Sequence, residues 1–298
     1  MRAYLIFLLA IAVSLTLAAA LAYPAWLAAG LISLPPFHRV VNRLAMLIGV
    51  FVLVYVTRKL NMANRQSLGY SVPRPVFVRQ MLIAFGAAVV LMIPLVATLY
   101  GLELRLPRAG FEWSGRLPGA LLQGLGTGFA VAFIEETFFR GAMQTAVTRE
   151  SGARAAVILT AALYAAMHFL GGKLRIPDAE VTWLSGFDVL ANLLNAYRDP
   201  IGLLDSLAAL FAVGVMLSLV RLRTGSIAVC VGLHAGWVCV ITVLREATVR
   251  NPNAQNAWLV GSYDGVIGWG ACLLLTLIII GYWYGTPKNL ASAAPLPP

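Results

Sequence analysis

Charged side chains are scarce in this sequence. Only 11% of the 298 residues are Asp, Glu, Lys or Arg, whereas soluble domains carry about 25%. Hydrophobic residues make up 60% of the chain, so the composition excludes an ordinary soluble domain and predicts a membrane protein. Acids are the scarcer sign, and the net charge is +10. Because the basic residues lie mostly in short segments between apolar runs, they indicate membrane-flanking charge and no nucleic-acid partner.

Cysteine and histidine are rare as well, with three residues of each type. Cys230, Cys239 and Cys272 fall in apolar runs without Cys-x-x-Cys spacing, which predicts buried thiols and argues against a disulfide framework. The sequence also lacks Gly-x-Ser-x-Gly, a phosphate-binding loop, a dinucleotide fingerprint and His-Glu-x-x-His. The common sequence signatures of soluble enzymes are therefore absent.

Eight apolar stretches are long enough, or nearly so, to cross a bilayer. They are residues 4–22, 40–56, 81–100, 117–147, 154–170, 204–220, 226–244 and 266–283. We predict an all-α, polytopic membrane bundle of about eight transmembrane helices, forming a single domain over residues 1–290 with a disordered tail at 291–298. The first stretch resembles a secretory signal, but its length and the spans that follow favour an uncleaved helix.

The densest basic cluster lies in residues 58–79, between the second and third predicted spans. Placing it inside predicts an integral protein of a bacterial inner membrane with both termini in the cytoplasm. The longest connection, residues 171–205, mixes charges with apolar residues at roughly helical spacing. This pattern indicates an amphipathic helix that lies on the membrane, lids a cavity, or is an ordinary surface helix.

Three charges lie inside the fourth predicted span: Glu135, Glu136 and Arg140. Each costs several kcal/mol in a bilayer unless it has a partner, on the order of +2.5–3.5 kcal/mol on insertion scales. Glu136 and Arg140 can pair along one helix face, on a stripe of small residues that includes Gly124 and Gly128. Such a pair could serve packing alone. Glu135 is rotated about 100° away and needs another partner or a proton.

Two of the three histidines, His168 and His234, fall in the fifth and seventh predicted spans, while His38 falls in a predicted loop. Counting from the span ends at 1.5 Å per residue places Glu135 and His168 at similar depth. His234 also lies near mid-membrane. A facing carboxylate and imidazole suit general-base activation of water, with a second imidazole donating to an oxyanion. The same groups could instead bind zinc.

These residues resemble the motifs of the CPBP family, which comprises CAAX prenyl proteases and bacteriocin-processing enzymes and is also called Abi. Residues 135–140 match its Glu-Glu-x-x-x-Arg motif, and Tyr164 to His168 looks like Phe-x-x-x-His with Tyr for Phe. His234 begins the place of the third motif, His-x-x-x-Asn or Asp. The resemblance covers a core of about 117–244 and implies the eight-helix fold of type II CAAX endopeptidases.

By this resemblance, Glu135 is the base, His168 helps to polarise the water, and His234 donates to the oxyanion, while Glu136 and Arg140 orient the site. Val238 stands where the family has Asn or Asp and cannot donate a hydrogen bond. Thr242 or the indole N–H of Trp237 could substitute.

The sequence thus predicts an intramembrane endopeptidase without a cofactor, acting on a membrane-associated protein or peptide within the lipid bilayer. Two alternatives stay open. One is a zinc-dependent intramembrane metalloprotease that uses the same residues. The other is a non-catalytic membrane protein, such as an immunity or binding protein, for which Val238 is the best argument.

Overall fold

The computed structural model describes residues 1–30, 36–170, 174–261 and 263–285. The predicted tail at 291–298 lies outside the described residues. The α-helices are α1 (Arg2–Gly30), α2 (Phe37–Lys59), α3 (Arg74–Gly101), α4 (Trp113–Glu136), α5 (Gln144–Met167), α6 (Ser185–Asn192), α7 (Pro200–Thr224), α8 (Ala228–Ala247) and α9 (Trp269–Gly285). Strands β1 (Arg105–Pro107) and β2 (Thr248–Arg250) form a short antiparallel ribbon. Because α2 begins at Phe37, His38 lies in a helix and not in a loop.

Six helical runs within the described residues are long and apolar enough to cross a membrane. One of them, Trp113–Met167, is 55 residues long and holds both the fourth and the fifth predicted spans. Gly152 (φ 82°) breaks this run, because no helix continues through a positive φ. The eighth predicted span corresponds to α9, which has 17 residues. The all-α membrane bundle is therefore confirmed, and the count of eight spans is approximate.

The residues cluster into two compact units, Met1–Ala63 with Ala166–Ile201, and Asn64–Ala165 with the chain from Gly202 onward. The single domain over 1–290 stays a prediction. In the first unit, α1 packs against α2 and α6. Gly186 of α6 lies against the Ala19 carbonyl, and Val189 is buried, while Trp183 and Phe187 are exposed. The predicted amphipathic segment thus contains a short helix with one packed face.

In the second unit, α8 packs between α3 and α4. Small residues permit this close packing: a Cβ at Gly124 would lie 3.1 Å from the Cys239 carbonyl oxygen, and one at Gly128 would lie 2.7 Å from that of Ala235. On the α3 side, Gly236 would place a Cβ 2.6 Å from that of Ala88. The predicted small-residue stripe on α4 is therefore confirmed, and its neighbour is the helix that carries His234.

This packing makes Gly128→Ala a test of the α4–α8 contact. The added methyl group would push against backbone, and overpacking of this kind costs about 1–3 kcal/mol. A methyl group added at Gly126 on the same helix would meet no atom of another described element within 4 Å, so Gly126→Ala should be neutral or stabilising by about 0.5–1 kcal/mol. Thermal unfolding in detergent measures both. Equal unfolding temperatures for the two variants would contradict the close contact.

Two arginines hold the end of α8. Arg105 donates to the Thr248 hydroxyl (2.6 Å) and carbonyl (3.0 Å), and Arg108 donates to the carbonyls of Glu246 (2.7 Å) and Arg245 (2.8 Å). These bonds satisfy carbonyls that a helix end leaves without partners. The ribbon of β1 and β2 beside them was not predicted, because three-residue strands carry no pattern that the sequence reveals.

Candidate active site

The backbone changes from α-helix to π-helix immediately after the two glutamates, over Thr137–Met143. Single π-helical turns are rare and often occur at functional sites. The loop between α2 and α3 packs against this segment. Tyr70 hydrogen-bonds Thr137 (2.7 Å between hydroxyl oxygens), and a Cβ at Gly141 would lie 2.6 Å from the Leu68 carbonyl oxygen. The prediction of a regular α-helix across this motif is therefore wrong at Thr137–Met143. Contacts with the α2–α3 loop hold the π-helical turn in place.

Glu136 and Arg140 form a fully buried ion pair. The Arg140 guanidinium donates through Nη1 to Oε1 of Glu136 (3.1 Å) and through Nη2 to the Gly214 carbonyl of α7 (3.3 Å). Its cationic carbon also lies 4.4 Å from the centre of the Tyr164 ring on α5. The predicted pair is present, and it joins the motif to two other helices.

His234 lies between the two glutamates. Its Nδ1 is 2.8 Å from Oε1 of Glu136, and its Nε2 is 3.9 Å from Oε2 of Glu135. The residue is 3% exposed. The link to Glu136 was not predicted, since Arg140 was its only expected partner. The small-residue stripe of α4 was the sequence feature that could have indicated this contact. In the structure, Gly128 of that stripe lies against Ala235, the neighbour of His234.

This contact fixes the tautomer of His234. A carboxylate only accepts hydrogen bonds, so Nδ1 carries a proton and donates it to Glu136. Nε2, the atom that faces Glu135, is then a bare acceptor when the ring is neutral and an N–H donor when the ring is an imidazolium.

Glu135 differs from Glu136 in exposure and in partners. Its side chain is 29% exposed, whereas that of Glu136 is fully buried. Among the residues that the structure describes, none donates a hydrogen bond to Oε2 of Glu135, although this atom is itself shielded. Buried polar atoms without partners are uncommon and require an explanation, of which a catalytic role is one. The two acids therefore have different surroundings, as the helical geometry predicted.

His168 lies in the turn directly after α5, which ends at Met167, and it is half-buried. It belongs to the first compact unit, whereas the other four predicted site residues belong to the second. The structure brings Glu135, Glu136, Arg140 and His234 together. The equal depth of His168 and Glu135 stays a prediction.

Neither expected substitute for the donor missing at Val238 is supported. The Thr242 hydroxyl donates to the Val238 carbonyl (2.8 Å) and lines a cavity of about 510 Å³ among Arg105, Arg108 and Arg245 at the far end of α8. Trp237 belongs to an apolar cluster with residues of α3 and α7. Spacing along α8 alone does not show what each of these side chains contacts.

The zinc alternative would require several ligands to converge on one point. Within the described ranges, no group of three or more His, Cys, Asp and Glu side chains is arranged to hold a metal ion. Oε1 of Glu136, a candidate ligand, already contacts both the Arg140 guanidinium and the His234 ring. A divalent cation at that position would be repelled by the nearby Arg140 guanidinium.

A polytopic helical bundle with a buried Glu-Glu-x-x-x-Arg motif facing a histidine agrees with the class of intramembrane proteases that the sequence motifs resemble. Residues 117–240 match the family model described as Type II CAAX prenyl endopeptidase Rce1-like. The match covers somewhat under half of the chain and supports the resemblance to the CPBP family over those residues. Searches of curated proteins and of solved structures gave no match. The family indicates a CAAX-type endopeptidase in an integral multi-pass membrane protein, with membrane-embedded peptides as substrates.

Proposed function

We propose that this protein hydrolyses a peptide bond of a membrane-anchored or lipid-bearing protein, with water activated by Glu135 and His168 and the oxyanion stabilised by His234. The observation that carries the proposal is the facing pair of Oε2 of Glu135 and Nε2 of His234. Oε2 of Glu135 can take a proton from a water molecule beside it while Nε2 of His234 faces the neighbouring carbonyl oxygen of a substrate. Glu136 is not available for this role, because its Oε1 already contacts Arg140 and Nδ1 of His234.

In the first step, Glu135 removes a proton from water as the water oxygen attacks the substrate carbonyl carbon. The carbonyl π electrons move to oxygen, and the N–H at Nε2 of the His234 imidazolium donates to that oxyanion. In the second step, the oxyanion reforms the carbonyl, the C–N bond breaks, and the proton held by Glu135 passes to the leaving nitrogen. Glu135 is thus base and then acid, a role suited to a carboxyl group that Arg140 does not neutralise.

The substrate class follows from where the site lies. His234 is six residues into α8, roughly 9 Å from the start of that helix. The start of α8 is attached to the basic 58–79 segment, because Ile227 N–H donates to the Gly69 carbonyl (2.9 Å). With this segment in the cytoplasm of a bacterial cell, the substrate enters from the cytoplasmic side or laterally from lipid. A free soluble peptide is therefore a poor substrate.

We also propose that the reaction needs no metal, since the position between Glu136 and His234 already receives the charge of Arg140. Elemental analysis of purified, active protein tests this. We expect less than stoichiometric zinc and full activity after chelation. Loss of zinc together with activity, and recovery of both on adding zinc, would establish the metalloprotease alternative.

The substrate and the activity are tested together in cells. We expect membrane-peptide termini present in wild-type cells to disappear in cells that carry Glu135→Gln, as seen by mass spectrometry of protein termini. Identical termini in both strains, at equal protein levels, would favour a non-catalytic binding or immunity protein.

A further inference from the structure

Two positions of this chain depart from the family motifs, and the departures are complementary. Val238 lacks the hydrogen-bond donor of the third motif, whereas Tyr164 carries a phenol hydroxyl where the second motif has Phe. One donor is missing, and one donor is added. The added hydroxyl can replace the missing donor only if it belongs to the same site.

Tyr164 packs directly on the catalytic groups. Its ring lies under the Arg140 guanidinium (4.4 Å), meets the Phe139 ring edge-on (centroids 5.4 Å apart), and meets the His234 ring edge-on (6.1 Å). Tyr164 is 2% exposed, about as buried as His234. The ring is therefore held on three sides, and its hydroxyl has little freedom to move.

The phenol also borders the Glu135–His234 pair, because its ring packs against the His234 ring whose Nε2 faces Glu135. The scissile carbonyl must lie beside that pair, next to the cluster of side chains that holds the phenol. Val238 is one turn beyond His234 on α8, so an amide there would approach the same carbonyl from another helix.

We propose that the Tyr164 O–H is the second oxyanion donor, in the place of the amide that Val238 lacks. The inference rests on the proposed protease function. A phenol suits this task because it donates one strong hydrogen bond from a rigid ring, and a low-dielectric site increases the value of that bond. His234 and Tyr164 then hold the oxyanion from α8 and α5.

Tyr164→Phe tests the proposal, because it removes only the hydroxyl and keeps the ring that packs on Arg140. We expect a loss of about 10²–10³-fold in kcat, the usual cost of one oxyanion donor, with KM little changed. The assay uses purified protein in proteoliposomes and an internally quenched peptide that ends in a farnesylated Cys-aliphatic-aliphatic-X sequence. Val238→Asn alone should leave the rate near that of the wild type.

The decisive variant is Tyr164→Phe/Val238→Asn, which exchanges one donor for the other. We expect its kcat to be at least tenfold higher than that of Tyr164→Phe. A packing defect would not show this recovery. Tyr263→Phe is the matched control, since Tyr263 is an exposed phenol on the loop before α9.

Each other outcome has a definite meaning. A wild-type rate for Tyr164→Phe, no recovery in the double variant, or an equal loss in Tyr263→Phe overturns the assignment to Tyr164. If Glu135→Gln is inactive in the same assay, the proposed function survives that result. If Glu135→Gln is fully active, the proposed function fails and the oxyanion role fails with it.

Discussion

Arg140→Met is expected to destabilise the protein by about 3–5 kcal/mol, because it removes the guanidinium from a fully buried ion pair and leaves only the His234 ring beside the Glu136 carboxylate. Arg140 and Glu136 are both fully buried, and Arg140 also donates to the Gly214 carbonyl. Methionine keeps the length of the side chain but none of its five N–H donors. The loss should be visible as a lower midpoint of thermal or denaturant-induced unfolding in detergent.

Two further variants make this experiment specific. Arg116→Met replaces an exposed arginine of α4 and should change stability by no more than about 0.5 kcal/mol. Glu136→Gln/Arg140→Met removes both charges and should be more stable than Arg140→Met alone, since no unpaired buried charge remains. An Arg140→Met protein as stable as Arg116→Met would show that the pair is not buried as described.

Glu135→Gln is expected to lower kcat by about 10²–10⁴-fold, the contribution of a general base, while leaving the protein folded. The amide keeps the shape of the side chain but cannot accept a proton from water. Stability should change by about 0.5 kcal/mol or less, because no described residue hydrogen-bonds Oε2 of Glu135. Initial rates in proteoliposomes and unfolding in detergent separate the two effects.

The control for Glu135→Gln is Glu112→Gln, the same substitution at an exposed glutamate directly before α4. We expect its rate and stability to match those of the wild type. If Glu135→Gln lost activity only in proportion to a loss of folded protein, Glu135 would be a packing residue and not the base.

The site features that were predicted from the sequence are those that depend on residue spacing along one helix. Four-residue spacing placed Glu136 beside Arg140 and identified Gly124 and Gly128 as a packing surface, and both features are present. Helical rotation also separated Glu135 from Glu136. Local geometry is sufficient for such statements, because the positions of side chains three or four residues apart are set by the helix itself.

Features of the site that depend on the contact between two helices were not predicted. The contact of His234 with Glu136 requires a particular rotation and register of α8 against α4, which apolar periodicity does not specify. The π-helical turn at Thr137–Met143 is held by a loop nearly seventy residues earlier in the chain, through Leu68 and Tyr70. The roles suggested for Thr242 and Trp237 are unsupported for the same reason, because they also depend on how α8 packs against its neighbours.

The chain of contacts from Arg140 through Glu136 to His234 also balances the site electrically. With His234 as imidazolium, one guanidinium and one imidazolium offset the two carboxylates. When water gives its proton to Glu135 and the oxyanion forms, the negative charge moves from the carboxylate to the new oxyanion, and the sum remains neutral. No ion has to enter or leave a low-dielectric membrane interior during the attack, and the barrier includes no cost of charging the cavity.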